Sequence, residues 1–345
     1  MEGSEHKNPV GIIGSGSFGM AIANLLAENV DVLLYARREE VRLAIEKREG
    51  RYSVLSPRIQ AVSDLQLVAQ KCQLIFPIVP SQAFRSMMKQ LSPYLNPTHF
   101  LIHGTKGLDL QDLPQGQSLH PEHIKTMSQV IEEESIVCRI GCLSGPNLSK
   151  EIMEGQPAAT LIASPFTEVI KAGQAVLKSN RFQVYGDHDI IGAELAGALK
   201  NIIALAAGIL GGKGLGKNLW ALLVTRGLSE MIHIGKAVGA DVKPFLGVAG
   251  IGDLVATASS ENSRNYKAGY RLGKGETLDD IMETSTDVIE GVKTLETIRA
   301  LGAHLGITTP IVEIVYRVFF KKMPVDNAIQ FLITYPYAVD VDFLP

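Results

Sequence analysis

The chain has 345 residues, 46% hydrophobic and 20% charged, with a formal net charge of −3. That length suits two domains with cores of their own, and a mildly acidic balance without a Lys/Arg run excludes a general affinity for nucleic acid. Met1 to Pro9 is polar and the apolar stretch after it is broken at once by glycine, so no secretory signal and a cytoplasmic location are expected.

The first element is a short buried strand from Val10, followed by the glycine-punctuated turn Gly14-Ser15-Gly16-Ser17-Phe18-Gly19 and an amphipathic helix. Gly14 permits the tight turn, Gly16 lets the backbone approach a pyrophosphate, and Gly19 lets helix and strand pack closely, while the helix N-terminus offers amides to the anion. The spacing points to a dinucleotide. A second strand follows at Val30 to Tyr35 and ends at Arg37-Arg38, where an acidic residue would hold a ribose 2′-hydroxyl and arginine accommodates a 2′-phosphate. NAD and NADP therefore both stay open.

Strands are then expected at Leu74 to Val79, Phe100 to His103, Ile136 to Ile140, Ala159 to Ala163 and Phe182 to Tyr185. Gly, Pro, Ser or Thr fill the loops Pro80-Ser81, Gly104-Thr105-Lys106-Gly107 and Ser144-Gly145-Pro146-Asn147, and in an open α/β sheet such carboxyl ends bind ligands. The alternation predicts an α/β, doubly wound Rossmann-like domain over 1–189. From Ile190 the strand signals stop, and helices are expected at Ile190 to Leu210, Leu219 to Val238, Leu278 to Thr284, Gly291 to Leu305 and Ile311 to Phe320, giving a mainly α-helical substrate and catalytic domain over 190–345. Ile190 to Leu210 is apolar enough for a membrane span, but Glu194, Lys200 and Asn201 favour a helix buried in protein. Cys72, Cys138 and Cys142 are expected as buried reduced thiols, with no histidines placed to complete a metal site.

Several polar residues in the helical half sit in apolar company. Lys200 has apolar neighbours on nearly every side, and an ammonium in that setting should lose pKa and become a candidate proton carrier. Arg226 and Asp253 are similarly placed, although Asp253 after Gly250-Ile251-Gly252 also suits a helix cap. Ser263-Arg264-Asn265 offers a hydroxyl, a guanidinium fork and an amide, which suits a phosphate. Glu290 stands at a helix start, where the dipole favours it with or without a ligand.

Taken in order, the glycine turn, Val79-Pro80-Ser81, Thr105-Lys106-Gly107, Ser144-Gly145-Pro146, Gly197-Ala198-Leu199-Lys200-Asn201, Thr225-Arg226-Gly227, Gly250-Ile251-Gly252-Asp253 and Ser263-Arg264-Asn265 resemble the bacterial NAD(P)-dependent glycerol-3-phosphate dehydrogenase family. The likeness spans about residues 10 to 330 and is specific as an ordered set. It implies interconversion of sn-glycerol 3-phosphate and dihydroxyacetone phosphate with NAD or NADP, supplying glycerol 3-phosphate for phospholipid synthesis, with substrate held between the two domains. It also implies roles. Lys200 matches the catalytic acid/base, Lys106 a position touching cofactor and substrate, and Gly145, Asp253, Ser263, Arg264 and Asn265 match substrate contacts. Ser17, Phe18, Arg37, Ser149, Arg264, Val288 and Glu290 match cofactor contacts, beside the motif glycines Gly14, Gly16 and Gly19 and the neighbouring Arg38.

In that scheme ammonium Lys200 protonates the alkoxide as hydride arrives, burial and Lys106 lower its pKa, Asp253 fixes the amine, and Arg264 with Asn265 grips the phosphate. Two departures stand out: Asn147 replaces a frequent threonine at a substrate position, and Asn218 and Trp220 alter the segment after Gly211 to Gly216. Two other readings remain beside this one. Another lysine-dependent NAD(P) dehydrogenase, of a 3-hydroxy acid or sugar acid, lacks the phosphate grip; a non-catalytic nucleotide-sensing module has no use for a proton relay. Oligomeric state is open, a homodimer included.

Overall fold

A computed structural model describes residues 8–110, 121–285, 288–336 and 339, so the polar start at 1–7 and the far ends of both expected domains lie outside the described residues. The chain divides into two compact units, one of Met1–Thr105 with Met127–Ile190, the other of Lys106–Thr126 with Ile191–Pro345. A single cut at 189/190 assigns Lys106 to the first unit. It falls instead in the second, where its ammonium bonds Asp253.

The strands among the described residues are β1 (Val10–Ile13), β2 (Val32–Tyr35), β3 (Ile59–Val62), β4 (Leu74–Pro77), β5 (Phe100–His103), β6 (Asp109–Leu110), β7 (Ile124–Lys125), β8 (Arg139–Ser144), β9 (Ala158–Ala163) and β10 (Phe182–Asp187). Eight of them form the sheet of the first unit in the order β10-β9-β8-β5-β4-β1-β2-β3, while β6 and β7 pair as a short antiparallel ribbon in the second. Every neighbouring pair in the large sheet is parallel except β8 with β9. The order reverses beside β1, so the first crossovers leave it in opposite directions, and the carboxyl ends there frame the position where such sheets bind ligands.

Among the described residues seven helices belong to this unit: α1 (Ser17–Leu26), α2 (Glu39–Glu46), α3 (Leu65–Lys71), α4 (Ser81–Leu91), α5 (Met127–Glu134), α6 (Ser149–Met153) and α7 (Thr167–Leu177). Among them α1 packs on α6 and α7, while α4 packs on α3 and α5, giving the two helical layers of a doubly wound fold. The strand expected at Ile136 to Ile140 begins later, at Arg139. Pairing with β5 fixes it, from Phe100 against Arg139 to His103 against Cys142, and leaves Ile136 exposed. Cys138, on the same approach, is exposed, so the expectation of three buried thiols holds only for Cys72 and Cys142. Burial raises the Cys72 thiol to a pKa of about 12, which makes it inert.

The second unit contains α8 (Ile190–Gly212), whose first residue closes the other unit, then α9 (Lys217–Ala237), α10 (Lys243–Leu246), a π-helical turn at Val248–Gly252, α11 (Asp253–Ser259), α12 (Arg264–Gly273), α13 (Leu278–Thr284), α14 (Glu290–Leu305), α15 (Pro310–Phe320) and α16 (Val325–Thr334). α8 is long and apolar enough to cross a membrane, but 94% of its apolar window is buried inside the protein. It meets α12 backbone to backbone: a Cβ at Gly208 would lie 2.1 Å from the Tyr266 carbonyl, and one at Gly269 would lie 1.9 Å from that of Leu205. Only glycine permits that approach, which sets the helix bearing Lys200 against the helix that begins at Arg264.

Glu230, buried in α9, accepts backbone hydrogen bonds at 2.8 Å from both Ile311 and Val312 in the first turn of α15. Thr309, the residue before that helix, makes no side-chain cap, so a distant carboxylate does the capping. Burial pushes the Glu230 carboxyl up to about 7 against the pull of the two amides. Glu230→Ala leaves two buried donors unpaired and is expected to lower the unfolding free energy by about 2–4 kcal/mol; an unchanged urea midpoint would show that α15 does not depend on this cap.

Candidate active site

In the first unit the glycine turn joins β1 to α1. Gly14 has φ +127°, and a Cβ there would lie 2.0 Å from the Ile78 carbonyl oxygen; a Cβ at Gly19 would lie 1.9 Å from the Gly14 carbonyl. At Gly16, the residue that caps the start of α1, a Cβ would meet nothing within 4 Å, so the approach to that helix end is open. No side chain caps that terminus and no acidic residue occupies its first turn. Closed glycines on either side of an open one, at a helix start free of competing carboxylates, suit a pyrophosphate. The residues fit a dinucleotide.

Phe18 lies in the first turn of α1, and a Cβ on Gly104 would come within 3.1 Å of its ring. Arg37 and Arg38 follow β2, both exposed. Arg38 leans toward Glu40 at 3.6 Å, whereas Arg37 has no acidic partner among the described residues. At the end of β8, Gly145 has φ +154°, and Asn147 Nδ2 donates to Thr160 Oγ1 at 2.9 Å. Asn147 Oδ1 and Ser144 Oγ are buried with no hydrogen-bond partner among the described residues, a surplus that suits a polar ligand group. Ser149 begins α6.

The second unit brings Lys106, Lys200 and Asp253 together, three residues separated widely in sequence. Lys200 sits on α8 and Asp253 opens α11; both are buried. Lys200 Nζ donates to Asp253 Oδ1 and, at 2.6 Å, to Thr257 Oγ1, while Lys106 Nζ donates at 2.6 Å to the other oxygen, Asp253 Oδ2. Thr257 Oγ1 in turn donates to Asp253 Oδ1 at 3.1 Å. One carboxylate thus answers two ammonium groups. Burial brings the Lys200 pKa down to about 7; the Asp253 charge opposes that fall and the Lys106 charge assists it.

Thr257 is the residue that sequence reasoning passed over. It lies four residues beyond Asp253, on the same face of α11, a relation visible only once 253–259 is read as helix.

The phosphate-grip candidates lie at the start of α12. Ser263 is buried and its Oγ accepts from Tyr266 N at 3.2 Å as the helix cap, while Arg264 is exposed. Asn265 donates to Asn201 Oδ1 and accepts from Gly291 N, each at 2.9 Å, so its amide ties α8, α12 and α14 together and keeps one hydrogen for a ligand. Glu290 opens α14 beside Gly291, and Val288 lies just before it. The Asn201–Asn265–Gly291 chain therefore brings the grip close to that turn.

The chain matches known proteins along nearly its whole length. Residues 9–169 match the N-terminal region of NAD-dependent glycerol-3-phosphate dehydrogenase, and residues 189–330 match its C-terminal region. The chain belongs to the NAD-dependent glycerol-3-phosphate dehydrogenase family. Among relatives, a glycerol-3-phosphate dehydrogenase [NAD(P)+] of Azotobacter vinelandii is 39% identical over 344 residues, covering 98% of each chain. One from Ectopseudomonas mendocina is 37% identical, over 98% of this chain and 97% of its own. The crystal structure of glycerol-3-phosphate dehydrogenase from Coxiella burnetii, 30% identical, superposes with a TM-score of 0.83 over 95% of this chain and 99% of its own. Family membership gives the chain its cofactor class, NAD or NADP.

Proposed function

We propose that this chain interconverts sn-glycerol 3-phosphate and dihydroxyacetone phosphate with NAD(P), Lys200 carrying the proton. The observation that carries the reading is a buried lysine whose ammonium is held by Asp253 and Thr257 and whose pKa falls to about 7. Gly14, Gly16, Gly19, Ser17 and Phe18 hold the dinucleotide, which supplies or accepts the hydride when bound.

In the reducing direction, Lys200 donates a proton to the oxygen that becomes the secondary alcohol; in the oxidising direction, neutral Lys200 takes it back. Asp253 and Thr257 hold Nζ in place, and Asp253 also orients Lys106, whose charge keeps Lys200 from holding its proton too tightly. The Arg264 guanidinium with the remaining Asn265 amide hydrogen grips the substrate phosphate, and that remote binding orients the reacting carbon. Glycerol 3-phosphate made this way feeds phospholipid synthesis, and both reactants and cofactor are water-soluble, which suits action in the cytoplasm.

Oxidation of NADH or NADPH, followed by absorbance with dihydroxyacetone phosphate present, is expected to proceed in the wild type and to fall at least about a thousandfold in Lys200→Ala with cofactor binding retained. Because the lowered pKa makes the amine shed its proton near neutrality, kcat for reduction is expected to decline as pH rises through about 7, and kcat for oxidation to rise through the same point. No wild-type rate with either cofactor would defeat the reading.

Arg37, without an acidic partner among the described residues, is the better placed of the two arginines for a 2′-phosphate. Arg37→Ala is expected to raise the KM for NADPH about tenfold and leave that for NADH near its starting value, with a smaller effect from Arg38→Ala; equal changes for both cofactors would remove this role.

A further inference from the structure

The proton relay depends on how α11 is held. Asp253 and Thr257 both project from this helix onto Lys200, yet α11 has only seven residues, too few to hold a pose by its own hydrogen bonds. Leu254 and Ala258 bury one side of it in the helical core, and its two ends fix how it is turned there. At the N-terminal end it grows out of the π-helical turn, which is seated against Phe245: a Cβ on Gly250 would lie 2.0 Å from the Phe245 carbonyl oxygen, and the Phe245 side chain is fully buried. Such turns insert one residue into a helix and re-aim the residues after it.

At the C-terminal end the chain turns extended at Ser260, whose φ of −107° and ψ of 128° take it out of the helix. The carbonyls of a helix's last turn have no partner within the helix. The one at Ala258, adjacent to Thr257, accepts a 3.0 Å hydrogen bond from the indole Nε1 of Trp220 on α9. Trp220 is the only tryptophan in the chain, and its indole nitrogen can donate but not accept. The ring is half-buried against the core of the helical unit, with the Lys217 ammonium 5.6 Å from its centroid. Packing and a cation thus fix the indole, and the indole fixes the last turn of α11.

We propose that Trp220 is a positioning residue for the proton relay, its indole N–H anchoring the Ala258 carbonyl and so holding Thr257 and Asp253 at bonding distance from Lys200. It acts through α11 and touches neither substrate nor cofactor. Without the bond the last turn of α11 frays, Thr257 loosens first, and water reaches an ammonium that is otherwise buried. Since burial is the largest influence on Lys200, admitting water returns its pKa toward the ordinary lysine range. A residue with a purely packing role leaves that midpoint alone.

The inference rests on Lys200 as the proton carrier, and the test keeps the two claims apart. As the sole tryptophan, Trp220 can be replaced by biosynthetic incorporation of β-(3-benzothienyl)alanine, which has the same shape with sulfur in place of the N–H; Trp220→Phe is made alongside it. For dihydroxyacetone phosphate reduction, the expected result in the benzothienyl enzyme is a kcat about tenfold lower, an unchanged KM for the cofactor, and a pH midpoint moved upward. Wild-type kcat and an unmoved midpoint in that enzyme overturn the proposal, whatever Trp220→Phe does. An unmodified enzyme with no turnover overturns the functional reading itself.

Discussion

An ammonium group buried among aliphatic side chains is tolerable only if something nearby answers its charge, and in this protein that something is Asp253. The carboxylate is itself buried and is shared with Lys106, so three charges and one hydroxyl settle as a unit. Much of the helical unit is arranged to make this cluster possible. α8 must be buried to desolvate Lys200, α12 must lie against it closely enough that only glycine fits at the crossing, and the π-helical turn must deliver Asp253 at the start of α11. The consequence is a lysine whose pKa burial brings down to about 7, which the proposed proton transfer in both directions needs.

The first unit solves a different problem with fewer parts. Binding a pyrophosphate asks for backbone amides, room, and no competing negative charge, and the role proposed for glycines at 14, 16 and 19 rests on shape alone. Their roles divide cleanly. Gly14 and Gly19 are closed in by carbonyl oxygens and secure the strand to the helix, whereas Gly16 is open and leaves the space.

How much of this could be read from the sequence followed how local each signal was. The glycine turn was legible because its function resides in six consecutive residues, and Lys200 because a charge in an apolar stretch is conspicuous without any partner. The convergence of Lys106, Lys200 and Asp253 was not visible as geometry, since nothing in periodicity brings residues so far apart together; the resemblance carried it. Thr257 escaped because α11 is short, glycine-led and weakly periodic. β3 escaped because four residues including Gln60 give no clear alternation, and β8 was set three residues early because Ile136 and Val137 are apolar yet precede the point where pairing with β5 begins. Asn265 shows the converse: a residue singled out for a ligand knits three helices, a duty that depends on neighbours distant in sequence.

The claim on which the rest depends is that folding lowers the proton affinity of Lys200. In protein labelled with 13C at lysine Cε, the Lys200 resonance, identified by its loss in Lys200→Met, can be followed directly as pH changes. A midpoint near 7 is the result this account requires, and a midpoint near 10.5, the ordinary lysine value, would contradict it.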